Sequence, residues 1–232
     1  MNMKTINRTA RLTGLLYFIQ VPLAIFGVMY APMALIVQGD ALATMNNFAS
    51  SASVFRMSIG AALLVQVSHL FIAILLYKIL SPAGKTAGVI MVVLMAVSVP
   101  IAMLNESLNF AILHLANGSP LLAGFSTEQV SSLVTLLHNL HEDGIFIAQI
   151  FWGLWLIPMG ILIVKSEFLP KWLGYANLIV VASYMVDFVA GIFVPELGVA
   201  ITGTVGFLEI LFPLWLLVRG VNVAKWEEKA QA

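Results

Sequence analysis

The residues with the clearest capacity for chemistry lie together in His138-Asn139-Leu140-His141-Glu142-Asp143. On a helix, His138 and Glu142 fall one turn apart and His141 lies beside both, so imidazole and carboxylate donors there could converge on a divalent ion. His114 and Glu106, near the same surface, could complete the shell. A zinc ion with an open position would lower the pKa of its bound water to about 7 and support a hydrolase. The order differs from the His-Glu-x-x-His pattern of metalloproteases, so the bland alternative is a polar helix face at a membrane surface.

A second group of polar residues lies inside long apolar runs. Glu106 stands beside Asn105 and Asn109, Asp187 shares a helical face with Ser183 and Tyr184, and Glu209 follows Thr202 and Gly206 on one stripe. His69 lies one turn after Gln66, and Arg56 opens the same run. A charge at the centre of a membrane helix costs about 2.5–3.5 kcal/mol on insertion scales, so each needs a partner, a cavity or a function. Arg56, His69, Glu106, Asn109, Asp187 and Glu209 are therefore the candidates for a ligand or proton site, with Arg56 the natural partner of Glu106 or Asp187. The competing explanation is a set of hydrogen bonds and one ion pair that lock helices together.

Three other patterns carry little. Ser68-His69 are adjacent and point about 100° apart on a helix, which is wrong for a nucleophile and its base. Gly84-Lys85-Thr86 imitates the end of a phosphate-binding loop, but position 79 is Ile and no strand precedes it. Asn117-Gly118-Ser119 fits a glycosylation acceptor relevant only to a eukaryotic secretory route.

The elements that must position these residues follow from composition. Hydrophobic residues make up 61% of the chain and charged residues 9%, against roughly 25% charged in a soluble domain. Such a chain belongs in a bilayer. Eleven Lys and Arg balance eleven Asp and Glu, with no basic tract, so the electrostatic footprint of a nucleic-acid binder is absent. The sequence has no cysteine, which excludes disulfides, thiolate metal ligands and a thiol nucleophile.

Apolar runs long enough to cross a membrane are expected at about 12–31, 57–79, 87–110, 144–164, 172–193 and 199–219. The expected fold is all-α: a single six-helix membrane domain over residues 1–232. Turns are expected at Ser81-Pro82-Ala83-Gly84-Lys85, Leu169-Pro170-Lys171 and Pro195-Glu196-Leu197-Gly198. The run from Leu12 to Val37 is longer than a signal-peptide core, which favours a retained first helix. Lys4, Arg8, Arg11, Lys78, Lys85, Lys165, Lys171, Arg219, Lys225 and Lys229 fall on one side of this layout and Arg56 alone on the other, which puts both termini in the cytoplasm. Tyr30, Tyr77, Trp172, Tyr175 and Trp226 fall at the boundaries, where amphipathic rings settle.

Two surface helices are expected outside. The first is capped by Asp40 and carries Leu42, Met45, Phe48 and Ala52 on the face opposite Thr44, Asn47 and Ser51, to lie on the membrane or cover the bundle. The second starts at the capping box Ser126-Thr127-Glu128-Gln129 and presents Val130, Leu133, Leu137 and Leu140. No internal repeat supports an inverted-repeat transporter.

The basic start running into Gly14-Leu15-Leu16-Tyr17, then Gly39-Asp40, Asn46-Asn47, Phe55-Arg56, His141 through Gly144, and Ser166-Glu167-Phe168-Leu169-Pro170-Lys171-Trp172-Leu173-Gly174 together resemble a bacterial multi-pass membrane family, the domain-of-unknown-function family numbered 4386. The resemblance implies a bacterial inner-membrane protein and transfers no catalytic residues. The leading expectation is binding or transport of a small or amphipathic ligand, a small molecule or lipid, in a polar cavity lined by Arg56, Glu106, Asp187 and Glu209 in the outer half of the bundle. A non-catalytic structural or regulatory protein is the alternative, and a metal-assisted hydrolase using His138, His141, Glu142 and His114 is the third. Outside that third case no cofactor is expected.

Overall fold

The computed structural model describes residues 3–231; Met1, Asn2 and Ala232, the ends of the single domain expected over 1–232, lie outside the described residues. Every regular element among the described residues is helical. The helices are α1 (Met3–Ala24), α2 (Ala31–Leu35), α3 (Ala41–Ser50), α4 (Ala52–Leu80), α5 (Lys85–Ala116), α6 (Thr127–Leu154), α7 (Leu156–Ser166), α8 (Lys171–Phe193), α9 (Thr202–Val205), α10 (Leu211–Val218) and α11 (Val223–Gln231). Five helical stretches among these residues are long and apolar enough to cross a membrane, or six if the bent stretch from Thr202 to Gln231 is counted as one. Helices of this length and apolar composition are those of a membrane protein. Exposed Leu104, Phe71, Phe193 and Val218 are the apolar side chains that lipid solvates in such a chain.

Prolines set most departures from regular helix. Pro22 withholds a backbone donor from the carbonyl of Phe18 and Pro32 from that of Val28, and a π-helical stretch, Ile25–Tyr30, lies between them. Pro158 likewise has no N–H to offer the Leu154 carbonyl where α6 gives way to α7. In the last apolar segment, Pro213 frees the Glu209 carbonyl, and the chain runs as α9, a 3₁₀ stretch over Gly206–Ile210, then α10. The sixth segment is therefore broken where the apolar pattern predicts one continuous helix. It bends by 98° into α11 after Gly220, which holds φ 68°.

The expected turns form at Ser81–Ala83 and Pro195–Leu197 as 3₁₀ segments, and at Glu167 to Pro170. Asp40 caps α3, its side chain accepting from Ala43 N at 2.8 Å. The buried face of α3 is nonetheless Thr44 and Phe48, while Leu42 is exposed. Thr44 faces inward because its hydroxyl is bonded to both the N–H (3.0 Å) and the carbonyl (3.3 Å) of Val37. The Ser126–Gln129 capping box also forms, with Ser126 N to Gln129 Oε1 at 2.8 Å. Its helix is not a separate surface element: α6 continues from Thr127 to Leu154, since no proline interrupts that stretch.

Contacts gather in two compact units. The first comprises the chain up to Ile19, Ser68–Val99 and Ala148 onward. Its core holds fully buried Leu76, Leu80, Met91, Met95, Leu156 and Leu216 around Trp155. Gly174 and Gly160 let α7 and α8 touch backbone to backbone: a Cβ on Gly174 would stand 2.6 Å from the Gly160 carbonyl. The α11 helix folds onto this unit through Trp226, which is buried and donates its indole N–H to the Ile79 carbonyl at 2.7 Å. Lys229 reaches Glu167 at 2.8 Å and holds that exposed carboxyl below the usual carboxylate range. Trp226, expected at an interface, is thus a packing anchor. The second unit comprises Gln20–Val67 and Pro100–Ile147. Phe48 and Phe55, both fully buried with ring centroids 4.6 Å apart, join Ile59, Ile112, Leu113 and Val134 in its core.

Candidate functional site

In the second unit, burial of Phe55 on the first turns of α4 turns the next residue, Arg56, outward, where it is exposed. The end of α5 is shaped to meet it. Gly118 adopts φ 77°, Ser119 N returns to the His114 carbonyl at 3.2 Å, and Asn117 bonds the Leu113 carbonyl at 2.7 Å. This is the wrap of a helix C-terminus around a left-handed glycine. The result is an open pocket of about 320 Å³ lined by Arg56, Phe110, His114, Asn117, Ser119 and Pro120 among others. Among the described residues Arg56 forms no ion pair.

Glu106, expected to pair with Arg56, pairs instead with His141. Its Oε1 lies 3.2 Å from Nε2 of His141, and its Oε2 accepts from the Asn109 amide at 2.9 Å. The Asn109 nitrogen is also 2.9 Å from Nε2. Glu106, Asn109 and His141 are 4%, 3% and 1% exposed, so water cannot share these bonds. Asn105 fastens the same two helices from beside the network, donating to the His141 carbonyl at 2.8 Å. It fits only because residue 144 is glycine, since a Cβ there would collide with the Asn105 side chain. Removing one member of such a buried network costs about 1–3 kcal/mol, because the partner stays desolvated and unsatisfied.

The metal constellation does not assemble. Among the described residues no three His, Asp or Glu side chains are placed to hold an ion. His141 turns inward to Glu106, Glu142 is exposed at 3.5 Å from Nδ1 of His141, His138 is half-buried, and His114 lines the pocket beside Arg56.

His69, Asp187 and Glu209 belong to the first unit. His69 packs against Trp152 and Trp155, each with ring centroids 6.4 Å away. Asp187 accepts from the N–H groups of Ile201 and Thr202, both at 2.7 Å, and so caps the start of α9; Thr202 in turn bonds Ser183 at 3.1 Å. Glu209, in the 3₁₀ stretch, accepts from the Tyr17 hydroxyl. Each of these carboxylates has a local structural partner.

Sequence reasoning missed Tyr17, Asn105 and Gly144. Tyr17 and Glu209 are 192 residues apart and share no pattern. Asn105 was visible beside Glu106, and a glycine within a helical run is a signal for close approach, but neither indicates the other.

Residues 12–220 match a family model described as "Domain of unknown function (DUF4386)". An uncharacterized protein of Archaeoglobus fulgidus is 27% identical over 146 residues, covering 60% of this chain and 85% of that protein. No solved structure matches the chain.

Proposed function

This chain belongs to the DUF4386 family, whose description assigns no activity, and on the geometry above we propose that it binds a small anionic amphipath in the pocket beside Arg56. The observation that carries this reading is an exposed arginine, in no ion pair among the described residues, set in a concavity of about 320 Å³. Ligand pockets begin at roughly 300 Å³. The guanidinium suits the oxygens of a phosphate or carboxylate; His114, Asn117 and Ser119 add polar contacts, and exposed Phe110 offers a ring to a hydrocarbon chain. In this reading the six apolar segments all cross a bacterial inner membrane with the termini in the cytoplasm, which the one-sided placement of Lys and Arg supports, and the pocket opens outside. The bilayer is both solvent and source of ligand.

The hydrolase reading lacks a metal-binding group among the described residues. For Glu106, Asp187 and Glu209 a structural role is favoured by the partner that each one already holds.

The test is binding of dodecyl phosphate to the full chain in nanodiscs of zwitterionic lipid, with inorganic phosphate and dodecyl maltoside as separate arms. The expected result is saturable binding of dodecyl phosphate, weakened about tenfold or more in Arg56→Gln, as the loss of a charge-assisted bond of about 1.5–3 kcal/mol requires. Equal binding by wild type and variant would overturn the proposal.

A further inference from the structure

In the first unit, α11 is laid across the turn that joins α7 to α8. Two contacts bracket it: the Asn222 N–H bonds the Phe168 carbonyl at 3.0 Å just before the helix begins, and Lys229 reaches Glu167 at 2.8 Å near its end. Lys225 lies between these two points on α11, and Lys171 opens α8 just after the same turn. Three ammonium groups from two distant segments thus gather at one carboxylate, and the charges of all three bear on Glu167. Only Lys229 is paired with it. Among the described residues Lys171 and Lys225, both exposed, form no ion pair, although α11 also carries Glu227 and Glu228. Like charges held together in this way repel one another and attract an anion.

The exposed face of α8 shows what that anion is attached to. Lys171, Tyr175, Ile179, Ala182 and Val186 recur at i, i+4, i+8, i+11 and i+15, so they share one face of the helix, and all five are exposed. Along it the chemistry passes from an ammonium through a phenol to aliphatic carbon. Trp172, exposed and edge-on to Trp215 with ring centroids 6.0 Å apart, lies one turn from Tyr175 at that change. Such rings settle at the level of lipid headgroups. At 1.5 Å per residue the stripe is about 22 Å long, and half of a bilayer with its headgroups is about 20–22 Å. A free phosphate would use only its first residue. Lysines that merely fix topology need to lie on one side of the membrane, which requires neither a shared carboxylate nor a place at the head of a lipid-facing stripe.

We propose that this face of the first unit binds one anionic phospholipid, its phosphate held by Lys171 and Lys225 and an acyl chain lying along Tyr175, Ile179 and Val186. The bond from Lys229 to Glu167 keeps α11 docked, and so keeps Lys225 beside the headgroup. The site belongs to a different unit from the Arg56 pocket and does not depend on it.

The test is native mass spectrometry of the full chain in detergent, titrated with dioleoyl phosphatidylglycerol, dioleoyl phosphatidylcholine and glycerol 1-phosphate as separate arms. Every sample carries Arg56→Gln, so that the pocket of the second unit adds nothing to the count. One phosphatidylglycerol is expected to stay bound at concentrations where phosphatidylcholine and glycerol phosphate do not. Adding Lys171→Gln and Lys225→Gln should weaken it about 30-fold, roughly fivefold for each lysine, with the melting temperature kept because both side chains are exposed. Equal binding of the two lipids, or phosphatidylglycerol binding unchanged by the two lysine substitutions, would overturn the proposal. So would glycerol phosphate bound as tightly as the lipid, or an equal loss on substituting the exposed Lys78 and Lys85 by glutamine instead.

Discussion

Asn105 donates its amide to the carbonyl of His141 at 2.8 Å through space that exists because residue 144 has no side chain. This contact fixes the register of α6 against α5 in the second unit and places Nε2 of His141 beside Glu106. Gly144→Ala is expected to displace Asn105 and lower stability by about 1–3 kcal/mol, combining overpacking with an Asn105 amide that loses its acceptor. Thermal unfolding in detergent checks it, with Gly60→Ala as the control. A Cβ at Gly60 meets open space, and there alanine should stabilise α4 by up to about 1 kcal/mol.

Glu106→Gln and Glu106→Ala should separate. Glutamine keeps the shape of the side chain and one acceptor oxygen, so it can still meet His141 and Asn109 and should cost less than alanine. Alanine leaves both partners unsatisfied and should cost about 1–3 kcal/mol. A glutamine variant as unstable as the alanine variant would show that the charge on Glu106, and not only its hydrogen bonds, holds His141.

Asp187 bonds two backbone N–H groups at 2.7 Å where α9 begins. Asp187→Ala should cost about 0.5–2 kcal/mol, the usual range for a lost helix cap, with Asp187→Asn in between. Faster amide hydrogen exchange at Ile201 and Thr202 would show that the loss is local.

Lys229 holds the Glu167 carboxyl below its usual range, so whatever the pair contributes is present above the ordinary carboxylate pKa and lost as pH falls through the folded value. Docking of α11 should therefore loosen in acid and in high salt. The chain has no cysteine, so a spin label at Ala230→Cys reports on α11 alone. Its mobility should rise in acid, and Glu167→Gln should show the higher mobility at neutral pH.

Much of the fold was legible because its signals are local. The apolar runs, the Asp40 cap, the Ser126–Gln129 box and the proline-marked turns each depend on residues within a few positions of one another. The breaks in the first and sixth segments were less so, since averaging hydropathy over twenty residues hides the missing donors of Pro22, Pro32 and Pro213. For α3 the apolar pattern misplaced Leu42 because two bonds from Thr44 to Val37 outweigh one leucine beside lipid. The site was half legible: Glu106, Asn109, His141, Arg56 and His114 all stood out by type. Their grouping did not, since Glu106 and His141 lie 35 residues apart and pairing is set by helix register.

An anionic amphipath held at Arg56 is tested most directly by the place where such a molecule binds. A dodecyl phosphate bearing a diazirine on its chain, photolysed with the full-length protein in nanodiscs and mapped by peptide mass spectrometry, should label the segment from Phe110 to Pro120 in the wild type and lose that labelling in Arg56→Gln. Labelling spread evenly over the lipid-facing helices, unchanged by the substitution, would contradict the account.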